Sequence, residues 1–226
     1  MPVIHTFGMH LRHTVLDISN CLHTAGIICF SVEPTSHKVW FLLGQEATGQ
    51  NWCDFGGRIN PYENELDAAA REFAEESMCV LRLAPSTKDY IDYVSDVTTA
   101  LENKEYVMKI SIIHRLYNVR KVYYLKEFPW QPRARHTFGK IRDLMVGLRN
   151  DPTIPIPEHL HQHPGFVRDK DGIKINKHFL EKCTIGWWEL NTIRRAISSG
   201  QTGPFRRSFL PALRIAIKNL RRYGSR

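Results

Sequence analysis

Acidic side chains run out before the end of this chain. From Asn191 to Arg226 there are nine Lys/Arg and no Asp or Glu, so the whole excess of +8 in a 226-residue protein lies in that segment. A segment of this kind favours phosphate-rich partners and speeds association with them. Cysteine is also scarce. Cys21, Cys29, Cys53, Cys79 and Cys183 are odd in number, scattered and never in C-x-x-C spacing. That fits buried free thiols in a reducing compartment better than disulfides or a zinc site. No apolar run approaches the roughly 18 residues that cross a bilayer. Met1-Pro2-Val3-Ile4-His5-Thr6 lacks the basic-then-apolar order of a signal peptide, so a soluble cytoplasmic protein is expected, with no membrane partner.

With 42% hydrophobic and 11% aromatic residues, the chain is not disordered, collagen-like or of low complexity. Its length suits one domain over 1–226 with an insertion. Ala25 to Val32 and Lys38 to Gly44 are β-branched and aromatic runs parted by the turn Glu33-Pro34-Thr35-Ser36, and they predict two strands. Lys109 to Ile113, Lys121 to Leu125 and Thr184 to Leu190 predict three more. A helical piece is expected from Phe138 to Leu148, within an irregular, Pro-rich insertion at about 130–180. Two C-terminal helices are expected, one after Asn191 and one from about Arg207 to Arg221. His159, His161 and His163 alternate on the Pro-rich stretch, with no Cys or further His at helical spacing, and read as structural or surface residues.

The segment from Asn64 to Ser77 carries the chemistry. Asn64 is a good N-cap, with Asp67 at the third helical position. Leu66, Ala69, Ala70 and Phe73 form an apolar stripe at i, i+3, i+4, i+7, which packs a helix on a sheet. Beside it, Glu72, Glu75 and Glu76 fall on one face. Such carboxylates repel one another unless a cation sits between them. Hard divalent ions take oxygen ligands and leave positions open for a substrate phosphate.

Gly57, Glu63, Arg71, Glu72, Phe73, Glu75 and Glu76 stand at the spacing G-x5-E-x7-R-E-U-x-E-E, where U is a bulky apolar residue. The pattern, over 57–79, resembles the box of the Nudix hydrolase family. The resemblance implies an α/β/α sandwich with a mixed sheet, and metal-dependent hydrolysis of a nucleoside diphosphate linked to a further group. It implies that Glu72, Glu75, Glu76 and the Gly57 carbonyl hold Mg²⁺ or Mn²⁺. Arg71 would orient Glu72, and Glu63 would support the helix and the metal's waters. Glu181 resembles the acidic residue before the late strand in mRNA-decapping members, where it would act as base or metal ligand. The consensus glycine is Met78, followed by Cys79, which implies a different exit from the helix.

Three features bear on the substrate. Arg207, Arg214, Lys218 and Arg221 recur at +7, +11 and +14, a basic face suited to a polyanion backbone, opposite the stripe Phe209, Leu213, Ala216, Ile217 and Leu220. Trp52, Phe55, Trp187 and Trp188 are aromatic, and Trp52 and Phe55 are candidates to stack on a base. The stretch from Glu181 to Trp188 with the following helices looks like the end of Nudix enzymes of large cytoplasmic DNA viruses. Some of those remove mRNA caps, and the resemblance implies the host cytoplasm or the virion of a large DNA virus as this protein's location. The resemblance thus implies cleavage of capped RNA with release of m7GDP. The alternatives are a small-molecule enzyme, acting on nucleoside triphosphates, dinucleotides or diphosphoinositol polyphosphates, and an inactive RNA-binding module. Every box carboxylate is retained, which argues against the last.

Overall fold

The computed structural model describes residues 22–81, 89–114, 118–170, 172–198 and 203–220. In chain order the strands are β1 (Leu22–Val32), β2 (Val39–Glu46), β3 (Trp52–Cys53), β4 (Phe55–Arg58), β5 (Met108–His114), β6 (Val119–Glu127), β7 (Phe166–Asp169), β8 (Gly172–Ile175) and β9 (Lys182–Glu189). The helices are α1 (Glu65–Ser77), α2 (Tyr90–Glu102), α3 (Ala134–Asn150), α4 (Leu190–Ser198) and α5 (Leu210–Leu220).

β1 is central because its run from Ala25 to Ser31 is buried on both faces. One edge pairs in parallel with β6, from Leu22↔Val119 to Phe30↔Glu127. The other edge is shared by two antiparallel strands, with β2 at residues 29–32 and β4 at residues 24–27. β5 extends the sheet beyond β6, and β9 lies antiparallel on β2. Alternation along β1 sends Ala25, Ile27 and Cys29 to one face, where they pack with Phe55, Ile185 and the apolar sides of α1, α2 and α3. Ile28 and Phe30 point to the other face, against α4 and α5. The result is the expected α/β/α sandwich with a mixed sheet.

Some expectations change. α2 is a thirteen-residue helix that sequence patterning did not indicate. The insertion is more ordered than its prolines suggest, since it holds α3, the β7–β8 hairpin and two 3₁₀ turns. The last helix starts at Leu210, so Arg207 precedes it and cannot share its basic face. Cys21 and Arg221 lie outside the described residues. No helix among the described residues is long and apolar enough to cross a membrane.

Candidate active site

Asn64 begins α1 as expected: its Oδ1 accepts bonds from the N–H groups of Leu66 (2.7 Å) and Asp67 (3.0 Å). The Ala and Phe stripe is fully buried against the sheet, which turns the next face of the helix toward β4. Arg71 organises that face. Its guanidinium donates to both oxygens of Glu63 (2.7 and 3.0 Å), to Glu72 Oε1 (2.9 Å), to Glu75 Oε2 (3.1 Å) and to the Arg58 carbonyl (2.9 Å). Burial works against this charge, but Glu63 and Glu72 hold the guanidinium firmly ionised. Glu63 in turn accepts the Asn60 N–H at 2.9 Å, so it anchors the loop before the helix. The Tyr90 hydroxyl of α2 reaches Glu75 Oε1 at 3.4 Å, a contact not signalled in the sequence.

Glu72 lies against Gly57. A Cβ built on that glycine would sit 2.4 Å from Glu72 Oε1, so a residue with no side chain is required there. Burial raises the Glu72 pKa, Arg71 opposes the rise, and the charges of Glu75 and Glu181 add to it. Glu76 is deeper, with only 3% of the residue exposed. Its Oε2 accepts the Gly56 N–H at 2.7 Å, and its Oε1 pairs with the Lys182 ammonium at 3.0 Å. Burial pushes the Glu76 carboxyl up to about 7 against the pull of Lys182, with Glu72 and Asp54 adding to the rise. Lys182 is the residue sequence reasoning missed. Nothing local marks a lysine 106 positions away as the partner of Glu76.

The helix exit corrects a sequence expectation. Met78 occupies the consensus glycine position and adopts the same left-handed conformation (φ 54°, ψ 34°) that a glycine would relieve. Its N–H still closes the helix on Ala74 and Glu75 carbonyls. The physical reason is packing: the Met78 side chain is wholly buried in the core beneath α1. Apolar burial worth roughly 1.5–3 kcal/mol offsets the roughly 1–2 kcal/mol cost of the left-handed backbone.

The remaining candidates divide. Glu181 stays near the box. Its half-exposed carboxylate pairs with His178 Nδ1 at 3.1 Å and adds its charge to the field at Glu72. Phe55 cannot stack on a base, because it is fully buried edge-on against Phe73. Trp52 is also a packing residue, set edge-on to Trp188 at 5.2 Å in the second core. Of the three histidines, His159 is exposed, His161 bonds the Ile156 carbonyl, and His163 is partly buried, set edge-on between Phe166 and Phe179. Arg207 lines a cleft of about 720 Å³ on the α5 side of the sheet, whose floor includes Gly56 and Gly57. Arg58, His114, Lys121 and Arg206 line it as well; Lys121 pairs with Asp54 at 2.9 Å, Arg206 pairs with Glu46 at 3.0 Å and burial lowers the His114 pKa, so Arg58 and Arg207 bring most of its net positive charge. Arg214 and Lys218 are exposed on α5.

Among the described residues no three His, Cys, Asp or Glu side chains converge in an arrangement ready to grip an ion. Arg71 bonds one oxygen each of Glu72 and Glu75, and Lys182 takes Glu76. The residues nevertheless fit a hard divalent cation. Their donors are all oxygen, Gly57 brings main chain against Glu72, and four carboxylates (Glu63, Glu72, Glu75, Glu76) face only two cationic side chains. A divalent ion would supply the positive charge that keeps all four ionised together.

Residues 22–136 match the family of NUDIX domains, about half of the chain, and the protein belongs to that family. Its box glycine, arginine and carboxylates are the Gly57–Glu72 contact and the Arg71 network just described. No curated protein is a significant match. Among solved structures, the chain is similar to the NUDIX domain of NrtR from Shewanella oneidensis in complex with ADP-ribose, at 13% identity and a TM-score of 0.47, with 88% of each chain covered. It is similar to the Ap4A hydrolase of C. elegans at 12% identity and a TM-score of 0.41, covering 90% of this chain and 98% of that one. A bifunctional NMN adenylyltransferase/ADP-ribose pyrophosphatase of Francisella tularensis, complexed with AMP and a manganese ion, gives 12% identity and a TM-score of 0.47, covering 88% and 41%. The family assignment rests on the domain match, not on these alignments.

Proposed function

We propose that this protein is a divalent-cation-dependent Nudix pyrophosphohydrolase whose substrate is the pyrophosphate-bearing 5′ end of capped RNA. The observation that carries the reading is the cationic cleft. Gly56 and Gly57 line it, and a Cβ on Gly57 would meet Glu72 on the opposite face of the sheet, so only the β4 backbone would separate a phosphate chain in the cleft from the carboxylate face of α1. Glu72, Glu75, Glu76 and the Gly57 carbonyl would hold Mg²⁺ or Mn²⁺. When bound, such an ion neutralises the phosphates and makes water a stronger nucleophile at neutral pH. The chain's own residues do the rest. Arg71 fixes Glu72 and Glu75, Glu63 fixes Arg71, and Arg58 and Arg207 bring positive charge to the phosphates. Glu181, near Glu72 and open to solvent, is the proposed proton acceptor.

A polyanion longer than one nucleotide is favoured because basic charge continues past the cleft. Arg206 and Arg207 lead into α5, where Arg214 and Lys218 are exposed. A second reading has one specific support: a cleft of about 720 Å³ is large enough to enclose a free dinucleotide. Hydrolysis of capped RNA, ADP-ribose and diadenosine tetraphosphate by wild type and by the double charge reversal Arg214→Glu/Lys218→Glu separates the two. The RNA reading predicts that kcat/KM on capped RNA falls at least about tenfold while the free nucleotides are unaffected. Equal rates on free nucleotides and RNA, both indifferent to the reversal, would establish the small-molecule reading.

A further inference from the structure

Lys182 is placed with unusual care for a lysine. It is 3% exposed, and its ammonium lies 3.0 Å from Glu76 Oε1 and 3.1 Å from Cys53 Sγ. Two features of the backbone put it there. The β2–β9 ladder is irregular between Gln45 and Glu46: Gln45 faces Thr184 and Glu46 faces Lys182, so Cys183 is the extra residue. A bulge of this kind re-aims the neighbouring side chain, here turning Lys182 inward beneath α1. Gly44 then clears its path. A Cβ at that position would lie 2.8 Å from Lys182 Cδ, so the stem passes where any other residue of β2 would have its side chain.

Burying an ammonium costs several kcal/mol unless a carboxylate meets it. Here burial disfavours its charge, but Glu76, together with Cys53 and Asp54, more than restores it. The second oxygen of Glu76 is taken by the Gly56 N–H. The last carboxylate of the box therefore has both oxygens engaged by the protein's own donors, while Glu72 and Glu75 are held by Arg71 at the rim.

We infer that Lys182 is a built-in counter-cation that competes with the divalent ion for Glu76. Glu76 gives its Oε1 to a metal only by releasing the Lys182 ammonium, so Lys182 sets how tightly the box takes its ion. The inference rests on the pyrophosphohydrolase reading above, because it assumes that the box takes a divalent ion. A purely structural ion pair would behave in the opposite way, since losing Lys182 would then loosen α1 and weaken any site on it.

The test measures Mn²⁺ affinity directly, by calorimetry and by the spin-resonance signal of free Mn²⁺, on the full chain without substrate. Lys182→Gln removes the charge and keeps a hydrogen-bond donor, and Lys182→Met, of similar volume, serves if the amide is not tolerated. The expected result is Mn²⁺ binding at least about tenfold tighter than in wild type, with the gain abolished when Glu76→Gln is added. Unchanged or weaker binding in folded Lys182→Gln or Lys182→Met protein overturns the competition while leaving the metal site standing. Absence of Mn²⁺ binding in wild type and variants alike overturns both the competition and the pyrophosphohydrolase reading.

Discussion

His163 Nε2 lies 3.4 Å from the carbonyl oxygen of Met78, tying the insertion to the left-handed exit of α1. The other ring nitrogen, Nδ1, accepts the Gly165 N–H at 3.1 Å. Only the neutral ring with its proton on Nε2 satisfies both contacts, donating to Met78 and accepting from Gly165. The insertion is therefore part of the support of α1, at the point where the family's usual glycine is replaced.

Met78→Gly tests whether packing holds that exit. Glycine removes the backbone penalty but leaves a methionine-sized void in the core under α1. The expected outcome is a net loss of about 1–3 kcal/mol, seen as a lower midpoint in thermal or urea unfolding. A rise in stability would mean that strain, not packing, dominates at this position.

His163 makes stability depend on pH. Burial pushes its imidazole down to about 4, with the bond to the Met78 carbonyl only partly opposing the shift. Between pH 4 and the usual value near 6.5 the unfolded chain binds a proton at this residue and the folded chain does not. Its contribution is thus fully present above about pH 6.5 and is lost as pH falls toward 4. His163→Gln keeps a donor without titrating. Urea unfolding at pH 7.5 and pH 5 should show a pH-dependent drop smaller by about 1–2 kcal/mol in the variant than in wild type. Equal drops would contradict the buried neutral ring.

Arg71 is predicted to be indispensable in a way that lysine cannot replace. Its planar fork holds Glu63 with two bonds while the same group reaches Glu72 and Glu75. Arg71→Ala should cost about 2–4 kcal/mol of stability and at least about a hundredfold in kcat, because Glu72 and Glu75 then repel unopposed. Arg71→Lys should recover much of the stability and little of the turnover. Recovery of both would show that charge alone, not the forked geometry, is what the carboxylates need.

What could be read from the sequence followed from locality. Asn64, Arg71, Glu72 and the apolar stripe lie within one helix, and their relations follow from helical periodicity. Gly57 and Glu63 are close enough in sequence to be drawn in by the box spacing. Relations across the sheet were not legible. Lys182 reaches Glu76 through a bulge in β9 and a gap at Gly44, and both need the strand register. Phe55 begins a short strand, where two-residue alternation does not say which face is core. α2 buries Tyr93, Val97, Ala100 and Leu101 at helical spacing, but its β-branched Val and Thr residues mask the helix. Arg207 sits just ahead of the helix it was expected to share, and helix starts are the least certain feature of a pattern.

If the α1 carboxylates beside Gly57 direct water to a phosphoanhydride, the oxygen of that water ends on one product phosphate. The most direct measurement is mass analysis of the products formed from capped RNA and nucleotide substrates in ¹⁸O-labelled water with Mg²⁺, by wild type and by Glu72→Gln. Two phosphate-ended fragments per cleavage are expected, one of them carrying a single ¹⁸O, with release abolished or slowed by orders of magnitude in the variant. Intact substrates throughout, or Glu72→Gln cleaving as fast as wild type, would contradict it.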